Sequence, residues 1–156
     1  MEEVVTLLSE ELQYIGHEVS ETGIELYVES ASEQARCPYC GAVSSKVHST
    51  YLRKLQDLPM QGKKVVVYLT NRKYFCVNEP CEHRTFAERF TFFEASATKT
   101  NRLQEEIKRI ATTQSALSAS KYLRQSVAQV GKSTICNLLK KTEQDGCGNI
   151  CACCLY

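Results

Sequence analysis

The chain of 156 residues has the length of one domain or two very small ones, and its 43% hydrophobic and 24% charged residues exclude a fibrous or disordered protein. Its net charge of +1 conceals a division: residues 1–35 hold nine glutamates and no lysine or arginine, whereas 36–90 and 91–141 each carry a surplus of six positive charges. The longest apolar run, Val65–Leu69, falls far short of the roughly 18–20 residues that span a bilayer, and the acidic start Met1-Glu2-Glu3 is unlike a secretory leader.

A soluble protein of the cytoplasm, with no membrane partner, is therefore expected. In chain order, residues 1–35 read as an acidic helix and hairpin leader. Val4, Val5, Leu7, Leu8 and Leu12 fall near one helical face. The runs 14–19 and 24–28 are strand-like, with Thr22-Gly23 as the turn between them. The glutamates are most simply a solvated face.

Residues 36–90 read as a small β-rich module. The β-branched and aromatic runs Lys63–Thr70 and Arg72–Val77 predict two strands, with Gln61-Gly62 marking the bend before the first. Residues 98–142 turn to helical periodicity. Leu103, Ile107, Ile110 and Ala111 form one stripe, with Asn101 and Gln104 placed as a capping box. A second helix begins after Ser115 and buries Ala116, Ala119 and Leu123. A third runs from about Lys132 to Lys141 with Ile135, Leu138 and Leu139 inward, and Gly131 caps it. Helix, turn, helix with a basic outer face outlines a helix-turn-helix. The predicted class is α+β: a β-hairpin leader, a zinc-ribbon-like β module and a helical segment, with residues 143–156 as a tail.

Of the nine cysteines, Cys37, Cys40, Cys76 and Cys81 form a C-x2-C and a C-x4-C pair separated by 35 residues. Two close thiol pairs suit the tetrahedral preference of one structural Zn²⁺, and metal binding then contributes much of the folding energy of so small a module. Chelation is expected to unfold 36–90 and leave the helices. Three alternatives compete. Cys37-Pro38-Tyr39-Cys40 is also a glutaredoxin-type tetrapeptide, but that chemistry needs a helix directly after the motif. His48 or His83 could replace a thiol, and all four cysteines could be buried free thiols.

Basic and aromatic residues interleave through the module, with Arg53, Lys54, Arg72 and Lys73 as candidate DNA contacts. In the third helix Lys132, Lys140 and Lys141 are placed for phosphates, while Ser133 and Asn137 can touch base edges. Solvated faces are the plain alternative reading of all these positions.

Cys37-Pro38-Tyr39-Cys40-Gly41, Leu55-Gln56-Asp57-Leu58-Pro59, Arg72–Asn78 and Cys81–Glu88 together resemble the N-terminal region of the ISL-three family of insertion-sequence transposases. The resemblance covers about residues 10–142. It implies that the four cysteines are zinc ligands. It also implies that the helical segment helps to recognise the element's terminal inverted repeats in double-stranded DNA, and that catalysis belongs to a further, RNase H-like domain whose carboxylates hold two divalent metals. The only aspartates are Asp57 and Asp145, so this chain is expected to bind DNA without cutting it. The tail with Cys147, Cys151, Cys153 and Cys154 fits nothing in the family and reads as disordered, out-of-frame sequence of a truncated mobile element. The alternatives are a free-standing zinc-ribbon and helix-turn-helix transcriptional regulator, or an interaction module pairing with itself or with a full-length transposase. A cytoplasmic, nucleoid-associated location follows from the DNA-binding readings.

Overall fold

The computed structural model describes residues 2–113, 115–128 and 130–145, with only the backbone described at Ala116, Ser126 and 141–145. The expectations for the cysteine-rich tail and for the Lys141 side chain lie outside what is described. The architecture is α+β, as the sequence implied. Its elements are α1 (Glu2–Leu8), β1 (Leu12–Val19), β2 (Gly23–Ser30), β3 (Ala35–Arg36), β4 (Val43–Ser44), β5 (Val47–Met60), β6 (Lys63–Phe75), β7 (Thr85–Ala87), α2 (Asn101–Thr113), α3 (Ala116–Ser126) and α4 (Lys132–Asp145).

The main sheet runs β1-β2-β6-β5, with β7 added to the far end of β6. The β1–β2 hairpin forms as expected, with Val19 opposite Ile24. Its second strand then lies parallel to β6, from Gly23 beside Lys64 to Glu29 beside Thr70. The sheet thus joins what the sequence divided at residue 35. A Cβ at Gly23 would meet the Lys64 carbonyl oxygen at 3.1 Å, so glycine permits the close strand approach there.

Alternation explains the burial. Ile24, Leu26 and Val28 of β2 and Val65, Val67 and Leu69 of β6 face one side and are buried. Val5, Leu12, Leu55 and the aromatic trio Phe90, Phe92 and Phe93 complete this core. Each such side chain contributes about 1.5–3 kcal/mol on burial. The leader helix is shorter than its apolar residues suggested. It stops at Leu8, Leu12 opens β1, and Leu7 is 79% exposed. At about 100° per residue, Leu7 sits some 200° around from the buried Val5.

Two differences concern the strands. The runs predicted as two strands merge into the single 13-residue β6. Strand β5, 14 residues long, has no alternation in its first half to reveal it, because Val47–Leu52 is exposed throughout. Gln61 (φ 51°) and Gly62 (φ 75°) make the two-residue turn between Met60 and Lys63, both with the positive φ of a type I′ hairpin.

The three helices form a second core from Leu103, Ile107, Ile110, Ala119, Leu123 and Ile135. Ser115 caps α3 by accepting a hydrogen bond from the Ser118 amide. The α2 cap is one residue earlier than predicted. Thr100 Oγ1 accepts from the Leu103 amide, while the Asn101 side chain donates to the Thr91 carbonyl and that of Gln104 to the Lys99 carbonyl. The third helix continues past its expected end to Asp145. No helix among the described residues is long and apolar enough to cross a membrane.

Candidate metal centre and nucleic-acid face

The two cysteine pairs arrive on separate turns at one end of the sheet. The first is framed by the short β3–β4 pairing. The Cys37 amide donates to the Ala42 carbonyl at 2.8 Å and the Gly41 amide to the Cys37 carbonyl at 2.9 Å. Gly41, at φ 79°, turns the chain where a side chain would be strained. The second pair leaves the end of β6, where the Cys76 amide donates to the Arg84 carbonyl and the Cys81 amide to that of Asn78. Beneath the cluster, Cys37 and Cys81 pack with Tyr74 and Phe86 in a third small core.

All four sulfurs lie within 4.8 Å of one another, and Cys40 Sγ stands 3.5 Å from Cys76 Sγ. A tetrahedral zinc with bonds near 2.3 Å places its sulfurs about 3.8 Å apart, so the set fits the ion. The thiols are electrostatically coupled. The Ala42 backbone amide, ahead of its other partners, holds the Cys40 thiol down at about 6. The Asn78 amide pulls the Cys76 thiol down, but burial and the neighbouring sulfurs outweigh it and push the thiol up to about 12. A cation is what lets several adjacent thiolates exist together.

The alternatives for this site resolve on geometry. A strand rather than a helix follows the Cys37–Cys40 knuckle, which removes the structural basis of glutaredoxin-type exchange. Neither histidine joins the sulfur cluster. His48 shares a hydrogen bond with Ser49 Oγ and meets Phe75 edge-on, and His83 stacks on Tyr39 with centroids 3.5 Å apart.

The candidate DNA contacts separate into two groups. On α4, Lys132, Ser133, Asn137 and Lys140 are exposed while Ile135 is fully buried. Lys54 is exposed with its ammonium 5.3 Å from the Tyr68 ring centre, and Lys73 is half-buried opposite Ser49. Arg53 and Arg72, by contrast, are engaged within the protein. Arg53 donates to the Ala95 and Ala97 carbonyls and lies over the Phe93 ring. Arg72 donates to the Ser32 carbonyl and pairs with Glu29 at 3.5 Å. Both guanidinium forks tie loops to the sheet, so each candidate contact has partners within the chain.

One group of residues had no assigned role in the sequence. Asp57 is 1% exposed and accepts from Thr100 Oγ1 at 2.6 Å and from both Arg102 Nε and Arg102 Nη2. Beside it, the Gln56 amide donates to the Thr98 carbonyl and the Thr100 amide to the Gln56 carbonyl. Leu58 packs against the helical core. The Leu55–Pro59 motif is thus the joint between sheet and helices. Its signal in the sequence was an acidic residue inside a largely apolar strand segment.

Fold and site together define a four-thiolate zinc ribbon built onto the end of a β-sheet and joined to a three-helix unit. Residues 33–81 match the family described as the zinc-finger of transposase IS204/IS1001/IS1096/IS1165. Over 53 residues the chain is 30% identical to the transposase for insertion sequence element IS1001 of Bordetella parapertussis, a match covering 34% of this chain and 13% of that protein. No solved structure matches the chain. The segment is a zinc ribbon of the insertion-sequence transposase kind, with one structural zinc held by Cys37, Cys40, Cys76 and Cys81.

Proposed function

We propose that the chain is the DNA-binding N-terminal portion of an insertion-sequence transposase, acting in the cytoplasm at the nucleoid on the element's terminal inverted repeats. The observation that carries this reading is the coexistence, in one jointed unit, of a transposase-type zinc ribbon and three packed helices with a polar outer face on α4. Lys132 and Lys140 hold phosphates there, and Ser133 and Asn137 meet base edges. Lys54 and Lys73 supply further positive charge from the sheet. Binding without cleavage is the expected activity, and the engagement of Asp57, one of two aspartates, by Arg102 and Thr100 supports it.

Titration against the inverted repeats flanking the gene, and against scrambled duplexes, tests this. Lys140→Ala weakens binding to both and lowers the salt slope by about one counterion. Asn137→Ala costs about 1–3 kcal/mol on the matched repeat and little on the scrambled one. Parental affinity of Asn137→Ala on both duplexes would overturn α4 as the reader.

A further inference from the structure

A cavity of about 450 Å³ opens between the zinc knuckle, β5, β6 and the segment after β7, lined among others by Tyr39, Tyr51, Asn71, Glu88 and Arg89. Two of its lining residues bring buried polar atoms without a partner. Asn71 is 1% exposed and Glu88 is 8% exposed. The Asn71 amide nitrogen donates to Tyr51 Oη at 3.1 Å, while Asn71 Oδ1 has no partner. Glu88 Oε1 accepts from Ser30 Oγ, while Glu88 Oε2 has none. Buried polar groups are normally satisfied, and an exception points to a missing partner.

The chemistry of the cavity narrows that partner. Two unsatisfied acceptors in one lining call for a ligand with more than one N–H donor, and they disfavour an anion beside them. Tyr39 and Tyr51 are exposed aromatic walls suited to a flat ring. The exposed Arg89 at the rim suits a phosphate. We propose that this cavity takes an unstacked nucleobase carrying an amino group, guanine foremost, because its N1–H and N2–H₂ offer more N–H donors than any other base. Thymine, with one ring N–H between two carbonyls, is disfavoured. Both orphan atoms are buried, so a base reaches them only through a local opening of the cavity. The proposal rests on the nucleic-acid reading above only for the source of the base, an unpaired position in the bound DNA.

Two measurements on the zinc-loaded full chain test it. The first titrates the four deoxynucleoside monophosphates and follows tyrosine fluorescence, which eight tyrosines and no tryptophan make readable. The expected order is dGMP first and TMP last. The second compares a fully paired duplex with the same duplex carrying one unpaired guanine, for which about tenfold tighter binding is expected. Glu88→Gln abolishes that ratio, and so does Tyr51→Ala at an exposed position, which guards against a folding defect in the first variant. Equal affinity for the two duplexes together with no response to dGMP overturns the pocket even if duplex binding is strong. A dGMP response without any duplex binding keeps the pocket and overturns the proposed function instead.

Discussion

Replacing Cys76 with serine releases the zinc and melts one end of the molecule while the rest stays folded. Three remaining sulfurs cannot complete the tetrahedron, and apparent binding energies of about 10–16 kcal/mol for structural zinc sites depend on the full ligand set. The extent of the melting follows from the packing. The zinc turns share a small core of Cys37, Tyr74, Cys81 and Phe86, whereas Leu26, Leu55, Val67 and Leu69 belong to the sheet's own core. The sequence implied that the whole of 36–90 would unfold on chelation. Because β5 and β6 are built into the main sheet, the loss is instead confined to the two knuckles and β7. Hydrogen exchange after chelation should therefore speed up at Gly41 and Cys81 and stay slow at Val67. Full zinc content in Cys76→Ser, by atomic absorption, would remove the four-thiolate assignment. The same protons that zinc displaces from the thiols return as pH falls, so acid releases the metal.

The second large effect lies at the joint. Asp57→Ala removes the acceptor of three hydrogen bonds and leaves the Arg102 guanidinium without its partner. Breaking a buried pair by deleting one member usually costs about 3–5 kcal/mol. Arg102 is 35% exposed and recovers some hydration, so about 2–4 kcal/mol is expected here. For a chain of this size that is a fall in Tm of roughly 5–15 °C. The control is Arg109→Ala, whose pairing with Glu106 is one turn away on the surface of α2, where solvent screening leaves an ion pair little net stability. A urea midpoint for Asp57→Ala no lower than that of Arg109→Ala would show that the joint contributes nothing. The loss should also loosen α2, since Thr100 both caps that helix and donates to Asp57.

What the sequence by itself determined is what depends on near neighbours in the chain. The alternation of Ile24, Leu26 and Val28, the helical stripe of Leu103, Ile107 and Ile110, the Ser115 cap and the paired cysteines are each set by a few adjacent residues. Local periodicity and metal-ligand spacing therefore sufficed to place them. The tertiary structure alone decided the features whose two halves lie far apart. The parallel pairing of β2 with β6 joins residues about forty positions apart, across a connection that carries the first zinc knuckle and β5. The first half of strand β5, Val47–Leu52, is held by its pairing with β6 and not by a buried face, so it left no pattern to read. Which acceptors an arginine meets in its own chain depends on what the fold brings within reach. Arg53 finds Ala95 and Ala97, Arg72 finds Ser32, and Arg102 finds Asp57, all across forty or more residues, because a guanidinium fork takes whichever acceptors the packed backbone presents to it.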